Sequence, residues 1–250
     1  MLLLLPPSET KRDGGDAGAG APLDLSQLSH PELTALRRSA LAATRALSSN
    51  RVTMAAALKL GASQQFEVTR NRQLRTSPTV PALERYTGVL YDALDAGTLS
   101  AAARAFAGDH VLIHSALFGL IGADDPIPAY RLSYDSKLPS LPLKKLWRES
   151  ISAVLAASDC LILDLRSSGY VELGPAPTGP RSLRLRVVSD SASGHRTALN
   201  HFNKKGKGEF VRAMCEAALD HQSIESVLQW AQGDGIRLEQ GAAGELDLVV

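Results

Sequence analysis

Runs of apolar residues predict the strands of this chain. One such run opens the sequence and stops at Pro6, and another follows as Val111-Leu112-Ile113. The segment Cys160–Leu165 is continuous and apolar, which is typical of a strand covered on both faces, so it is the best central-strand candidate. From Leu183 to Val188 apolar residues alternate with arginines, which predicts a half-buried strand with a basic solvent side.

Apolar residues at helical spacing predict helices between these strands. A capping box of Ser29 and Glu32, with Pro31 in the first turn, predicts a helix from about Pro31 to Leu47. Further helices are expected over 51–60, 62–72, 88–107 (as two short helices), 143–157, 207–219 and 224–231, and short strands over 130–134, 236–239 and 245–250. Residues 11–24 are rich in Gly, Ala and Asp and are expected to form a mobile loop.

The order of these elements predicts the fold class. Because strands and helices are mixed irregularly, we expect an α/β (mixed α+β) fold with a mixed central sheet flanked by helices. A single compact domain is expected over residues 1–250. No segment approaches the roughly 20 apolar residues that span a bilayer, and the opening run is too short for a signal peptide. A cytoplasmic protein without a membrane partner is therefore expected, with Cys160 and Cys215 as reduced thiols.

The net charge of +1 hides an uneven distribution of basic and acidic residues along the chain. Residues 37–85 carry nine basic and two acidic groups, and residues 181–212 carry eight basic and two acidic groups. Two basic blocks form a local positive field if folding brings them together, and such a field attracts a polyanion. The alternative is two ordinary solvated faces, neutralised by the acidic end of the chain.

The segment Asn203–Arg212 is the strongest local signal for anion binding. It places Lys204, Lys205, Lys207 and Gly208 at the entrance of a predicted helix, where free backbone N–H groups favour an anion. The spacing of a Walker loop is absent. A solvated loop is the alternative interpretation of the same residues.

A pair of glycines between apolar residues is the second signal. Gly119 and Gly122 are three residues apart and suit a tight hairpin, whose backbone amides would contact a phosphate as in helix-hairpin-helix modules. A plain turn explains the same pattern equally well.

Polar residues after two predicted strands suggest a shared pocket. Ser8, Thr10 and Lys11 follow the first strand, and Ser167 and Tyr170 follow the central strand. Ligands of α/β proteins often bind at such strand ends, although simple polar turns would have the same composition. His110 and His114 lack further ligands at metal-binding spacing, so neither a metal nor another cofactor is predicted.

Together these segments resemble the YaaA peroxide-stress protein family, in the same order and nearly end to end. The residues that carry the resemblance are Pro7, Ser8, Thr10, Tyr86-Thr87-Gly88, Leu117-Phe118-Gly119-Leu120, Tyr130-Arg131-Leu132, Trp147, Ser167, Tyr170, Lys204-Lys205-Gly206-Lys207-Gly208 and Arg212. The resemblance implies a single-domain mixed α/β protein that protects against hydrogen peroxide and is linked to lower free intracellular iron.

The resemblance also implies binding of duplex and branched DNA through a positively charged crevice with a helix-hairpin-helix-like element. Lys204, Lys205, Lys207 and Arg212 are then expected in the crevice, and residues 119–122 in the hairpin. The chain departs from the family pattern at Glu9, where many relatives have lysine, and at Gly169, where they have an acidic residue. No catalytic activity follows from the resemblance.

Two main hypotheses follow from these observations. The first is a DNA-binding protein without strong sequence specificity, which shields double-stranded or branched DNA under oxidative stress. The second is an enzyme acting on a phosphorylated or carboxylated small molecule, with its pocket formed by Ser8, Thr10, Lys11, Tyr130, Arg131, Ser167 and Tyr170. Direct iron sequestration is a third option that the sparse His and Cys residues disfavour.

Overall fold

The computed structural model describes residues 1–15, 21–139, 141–190, 196–198 and 201–250. Its strands are β1 Leu2–Leu5, β2 Val80–Pro81, β3 Val111–Ser115, β4 Gly119–Gly122, β5 Pro126–Ile127, β6 Ile162–Asp164, β7 Ser182–Asp190, β8 Arg196–Ala198, β9 Leu238–Gln240 and β10 Glu245–Val249. Its α-helices are α1 Thr34–Ser48, α2 Arg51–Ala57, α3 Phe66–Arg72, α4 Ala82–Arg85, α5 Val89–Leu94, α6 Ala101–His110, α7 Leu143–Ala156, α8 Ser168–Glu172, α9 His201–Ala217 and α10 Ile224–Gly233.

One mixed sheet organises the fold, in the strand order β4-β3-β1-β6-β7-β10-β9. The five strands from β3 to β10 in this order are parallel, while β4 and β9 run antiparallel at the two ends and β8 pairs with β7. β3, β4 and β6 are buried along their whole length, which explains why their sequences are apolar runs. The predicted single α/β domain with a mixed sheet is confirmed, and so is the central position of β6.

The strand order changes direction next to β1. From β1 the chain first adds β3 on one side and later adds β6, β7 and β10 on the other side. In open α/β sheets, ligands bind outside the carboxyl ends of the strands at such a switch point. The topology therefore directs attention to the residues that follow β1 and β6.

The predicted capping box before α1 is wrong. Ser29 instead donates from its hydroxyl and its backbone N–H to the carboxylate of Asp125, at 2.7 and 2.9 Å. His30 has a left-handed φ of 59° and precedes a short 3-10 helix, Pro31–Leu33. Because Asp125 is a stronger acceptor than a local backbone group, Ser29 is held by a distant segment rather than by its own helix.

The structure corrects the prediction that residues 119–122 form the hairpin of a helix-hairpin-helix-like element. Gly119 and Gly122 are the two ends of buried strand β4, which forms a β-hairpin with β3. Gly119 has a positive φ of 70°, and a Cβ there would lie 2.8 Å from the Trp147 ring. Both glycines thus serve close packing and a turn, and the segment is not part of a helix-hairpin-helix.

Two short helices joined by a glycine-containing turn are found elsewhere, at α2 and α3. Asn50 caps α2 by accepting from the Thr53 N–H at 3.0 Å, and Gly61 lies in the connecting turn. The two helices pack on α1. Arg72 of α3 donates to the carbonyls of Ser48 and Ser49 at 2.6 and 3.1 Å, which ties the end of α3 to the end of α1.

The predicted strand at residues 130–134 is also wrong. This buried segment pairs with an amide side chain: Asn71 Nδ2 donates to the Arg131 carbonyl at 2.7 Å, and the Arg131 N–H donates to Asn71 Oδ1 at 2.8 Å. A side-chain amide thus supplies the hydrogen bonds that a neighbouring strand would supply. In the expected loop of residues 11–24, Lys11 forms an isolated bridge with Tyr86, and residues 16–20 lie outside the described residues.

Candidate functional site at the carboxyl ends of the parallel strands

The loop after β1 presents two hydroxyl groups to solvent. Ser8 Oγ and Thr10 Oγ1 are 3.1 Å apart, and Thr10 Oγ1 donates to the Thr87 carbonyl at 3.1 Å. Gly88 packs against both hydroxyls with a φ of 95°, and a Cβ there would lie 3.1 Å from Thr10 Oγ1. A side chain at position 88 would be strained and crowded, so glycine is needed for this close approach.

Lys11 points inward from the same loop. Its Nζ donates to the Ser8 carbonyl at 2.9 Å and lies 4.1 Å from the centre of the Tyr130 ring. Burial lowers the pKa of the Lys11 ammonium to about 7, and the positive charges of Arg131 and Arg70 add to the effect. Lys11 is therefore a buried amine that gives up its proton more readily than the solvated lysine of a mobile loop would.

A buried hydroxyl network lies beneath Lys11. Tyr130 Oη is 2.7 Å from Tyr86 Oη and 2.7 Å from Ser115 Oγ. Ser115 Oγ also accepts from the backbone N–H groups of Leu117 and Phe118, at 3.1 and 2.9 Å. Burial raises the pKa of Tyr130 to about 12, so its phenol stays neutral. The network fixes Tyr86 and Tyr130 against the end of β3.

Aromatic rings gather at this edge of the sheet. Tyr91 donates to the Pro6 carbonyl at 2.8 Å, and its ring centre is 5.2 Å from that of Tyr86. Tyr134 lies on the other side of the site, with its ring centre 5.4 Å from Tyr170. With Tyr130, these residues account for all five tyrosines of the chain. We call this group the tyrosine cluster.

Arg131 closes the site toward solvent. Its guanidinium donates to the Glu9 carboxylate at 2.7 Å. Glu9 is one of the two positions where the sequence predicts a departure from the YaaA pattern, and here its carboxylate neutralises Arg131. Gly169, the other departure, lies under the Tyr134 ring, where a Cβ would approach a ring carbon to 2.2 Å. A larger residue at position 169 would displace Tyr134.

A second buried polar group lies after β6. Arg166 is bound bidentately by the Asp164 carboxylate, at 2.9 and 2.6 Å, and donates to His114 Nδ1 at 2.8 Å. Burial holds the pKa of His114 well below its usual value, so the imidazole is neutral and accepts this hydrogen bond. The Tyr170 ring lies 5.6 Å from His114. This arrangement holds the segment after β6 in place, and sequence spacing alone did not reveal it.

The sequence-predicted pocket residues are brought to this edge, but most of them contact protein groups. Lys11, Tyr130 and Arg131 are buried and bonded as described, and Tyr170 is buried under Tyr134. Half-buried Ser8 and exposed Thr10 lie beside them, and exposed Ser167 follows β6. Helix α9 reaches the same edge, because buried Lys207 donates from Nζ to the Leu165 carbonyl at 2.8 Å. Burial lowers the pKa of Lys207 to about 8.

The rest of the predicted lysine–glycine segment lies within α9 rather than before it. Gly208 is buried against α5, where a Cβ would lie 2.1 Å from the Leu90 carbonyl oxygen, so the expectation that it leaves the backbone open to a phosphate is wrong. Arg212 donates to the Leu94 and Asp95 carbonyls at 2.9 and 3.0 Å, at the end of α5. Lys204 and Lys205 are exposed, and Lys205 pairs with Glu209 at 3.2 Å.

Five exposed arginines on and beside α1–α3 form a separate cationic surface. In the described part of the chain, none of them forms an ion pair with a carboxylate. We call this set the arginine surface; it consists of Arg38, Arg45, Arg51, Arg72 and Arg75. It borders the strand-end site, because Asn71 of α3 holds Arg131 and Arg70 pairs with Asp13 after β1.

Two other features are absent from the described residues. They contain no group of three or more His, Cys, Asp or Glu residues arranged to hold a metal ion. None of the helices in those same parts of the chain combines the length and apolar character that crossing a bilayer requires.

The fold and this edge define the class: an α/β protein whose polar groups converge at the switch point of a mostly parallel sheet. The chain belongs to the peroxide stress protein YaaA family, whose family model matches residues 1–240. The family resemblance seen in the sequence is thereby confirmed.

Similar proteins extend over most of the chain. A UPF0246 protein of Corynebacterium glutamicum (strain R) is 44% identical over 248 residues, covering 96% of this chain and 95% of that protein. One from Corynebacterium efficiens is 43% identical over 259 aligned positions, covering all of both chains. One from Streptomyces coelicolor is 42% identical over 218 residues, covering 86% of this chain and 82% of that protein.

Proposed function

We propose that this peroxide stress protein binds DNA through its arginine surface, without strong sequence specificity, and shields the DNA from oxidative damage. The observation that carries the proposal is the set of five exposed arginines without carboxylate partners in the described residues. Arg51 and Arg72 donate to Gln65 and to the Ser48 and Ser49 carbonyls, but no carboxylate neutralises their charge. Exposed guanidiniums that no carboxylate neutralises can replace the counterions of a phosphate backbone. Binding of this kind positions a protein on DNA but carries no sequence information.

The spacing of these arginines suits a duplex. Arg38 and Arg45 are seven residues apart on α1, so they lie on nearly the same face and about 10 Å apart along the axis. This distance corresponds to about three base-pair steps of a duplex. Arg72 is anchored on the carbonyls of Ser48 and Ser49, at the end of the same helix that carries Arg38 and Arg45. These contacts support the proposal that the arginines act together.

The residues expected from the sequence contribute unequally to this proposal. Lys204 and Lys205 are exposed and remain in it as contacts near the strand ends. Lys207 and Arg212 are engaged by the carbonyls of Leu165 and Leu94, so we assign them to packing. The iron link expected of the family involves no residue that we can name, and we propose no iron site.

The test is a salt titration of DNA affinity. We expect the triple variant Arg38→Gln, Arg45→Gln and Arg75→Gln to bind duplex DNA more weakly in fluorescence anisotropy. Because each lost phosphate contact removes about 0.9 from the slope of log K against log salt, the slope should become shallower by about 2 to 3. These side chains are exposed and make no hydrogen bond to described residues, so the fold should be retained.

The matched control removes the same charge elsewhere. The control variant changes Lys144, Arg181 and Arg237 to glutamine, which removes three positive charges, as the test variant does. These three residues are exposed, but each lies within 4 Å of a carboxylate. If the control variant loses as much affinity and slope as the test variant, the arginine surface is not the binding site. Wild-type binding that does not depend on salt would contradict phosphate contacts altogether.

The enzyme hypothesis stays a prediction. Its residues meet at the strand ends, but Lys11 and Arg131 are directed at protein groups, to the Ser8 carbonyl and the Glu9 carboxylate. A thermal-shift screen of phosphorylated and carboxylated metabolites tests it, and a saturable rise in melting temperature would support it.

A further inference from the structure

A pocket of about 480 Å³ opens beside α3. One wall is formed by Phe66, Thr69, Arg70 and Gln73, which follow the spacing of a single helix face. Asp13, Ser77 and buried Arg85 also line the pocket. We call this the α3 pocket; its volume lies within the range of small-ligand sites.

Phe66 gives the pocket an open aromatic surface. Phe66 is 52% exposed, although large apolar residues are usually buried. The Arg70 guanidinium lies over the ring, 4.9 Å from its centre. Because Arg70 is itself fixed by the carboxylates of Glu67 and Asp13, the wall is held rigid for stacking against a flat ligand.

Free hydrogen-bonding groups surround this wall. The side chains of Thr69, Gln73 and Ser77 make no hydrogen bond within the described residues. The cations of the pocket, by contrast, are already engaged: Arg70 by two carboxylates, and Arg85 by the carbonyls of Ile127, Arg12, Gly14 and Pro78. Because both cations of the pocket are engaged by protein groups, the pocket is a poor binding site for a phosphate.

A nucleobase has the properties that the α3 pocket requires. It is flat, it is neutral, and its edge carries hydrogen-bond donors and acceptors that match hydroxyl, amide and carboxylate groups. Arg72 and Arg75 follow directly on the same helix and the turn after it, where the phosphates next to such a base would lie.

We propose that the α3 pocket takes up an unpaired nucleobase of DNA bound on the arginine surface, stacked on Phe66. This inference rests on the proposed function and specifies its substrate: DNA that contains at least one unpaired nucleotide. Base pairing would have to be broken first in intact duplex, so a bulged or branched site would bind more tightly.

The experiment compares two duplexes that differ only by a single bulged 2-aminopurine nucleotide. We expect wild-type protein to bind the bulged duplex about tenfold more tightly than the paired one and to change the 2-aminopurine fluorescence. Phe66→Ala should abolish the preference and the fluorescence change while paired-duplex affinity stays the same. Val52→Ala is the matched control, since Val52 is a 78% exposed apolar residue of α2 outside the pocket.

Phe66→Leu guards against an unfolded variant, because it keeps apolar bulk but has no ring to stack. Retained preference in this variant would exclude stacking on Phe66. Equal wild-type affinity for both duplexes, with salt-dependent binding intact, would overturn the pocket assignment and leave the proposed function standing. If neither duplex binds, the proposed function fails. The pocket is then tested by titrating the protein with free 2-aminopurine riboside, and a lack of saturable fluorescence quenching would overturn the pocket assignment as well.

Discussion

Replacing Gly208 with alanine separates two explanations of the glycine in α9. If that glycine opens the backbone to a phosphate, the substitution should weaken DNA binding and leave stability unchanged. In the structure, the new Cβ would lie 2.1 Å from the Leu90 carbonyl oxygen and 2.9 Å from the Ala93 Cβ. Both contacts belong to α5, so α9 and α5 would have to move apart.

The expected change in the free energy of unfolding of Gly208→Ala follows from two opposing effects. Alanine favours a helix interior over glycine by about 1 kcal/mol. Overpacking costs about 1 to 3 kcal/mol, and the upper end applies because a backbone carbonyl cannot rotate away like a flexible side chain. We therefore expect Gly208→Ala to lower the free energy of unfolding by about 2 kcal/mol, and the melting temperature by about 4–8 °C.

Gly233→Ala is the control for helix propensity. Gly233 ends α10, and a Cβ there would meet no atom within 4 Å. Thermal and urea unfolding should show this variant to be as stable as the wild type or up to about 1 kcal/mol more stable. A Gly208→Ala protein with unchanged melting temperature and reduced DNA affinity would refute the packing explanation.

Two further predictions concern buried cations. Because burial lowers the pKa of Lys11 to about 7, the folded state releases this proton before the unfolded state does, and the contribution of Lys11 to stability rises between about pH 7 and pH 10.5. Relative to Lys11→Met, the wild type should gain up to about 1.4 kcal/mol per pH unit in urea unfolding across that window; parallel pH curves would contradict the buried position. Arg85→Met removes the donor from four carbonyls and should lower the free energy of unfolding by about 3 to 5 kcal/mol. The control Arg75→Met, at an exposed position, should change it by no more than about 0.5 kcal/mol. Equal effects of the two changes in denaturant titrations would show that the hydrogen bonds of Arg85 do not stabilise the fold.

The strands were the most predictable part of the fold, because their signal is local. The apolar run around β6 and the alternation in β7 depend only on which faces are covered, so both strands were placed correctly. The segment at Tyr130 carries a similar pattern, but its partner is the amide of Asn71, about 60 residues earlier. No local pattern indicates that a side chain takes the place of a strand.

Charge was less predictable than hydrophobicity. Counting residues treats every arginine as a surface cation, yet Arg37 and Arg85 are fully buried. Arg37 donates to the Phe118 and Leu120 carbonyls at 2.8 and 2.7 Å, and so satisfies the backbone around β4. Whether an arginine binds carbonyls or remains free depends on the tertiary fold, so the sequence located the basic blocks but not their exposed members.

The candidate site was predicted in outline. The strand-end rule placed Ser8, Thr10 and Ser167 at one edge of the sheet, because carboxyl ends of parallel strands meet there. It did not reveal the pairing of His114 with Arg166, since His114 lies in β3, Arg166 follows β6, and the two are about 50 positions apart.

The tyrosine cluster gives the protein a built-in optical reporter. All five tyrosines lie at the carboxyl edge of the sheet, whereas Trp230 lies on α10 against Phe210, with ring centres 6.1 Å apart. Near-ultraviolet circular dichroism in the tyrosine region therefore observes one place in the molecule instead of an average over many. A spectroscopist can follow events at that edge in the unlabelled wild-type chain, once the indole bands of Trp147 and Trp230 are separated from the tyrosine band.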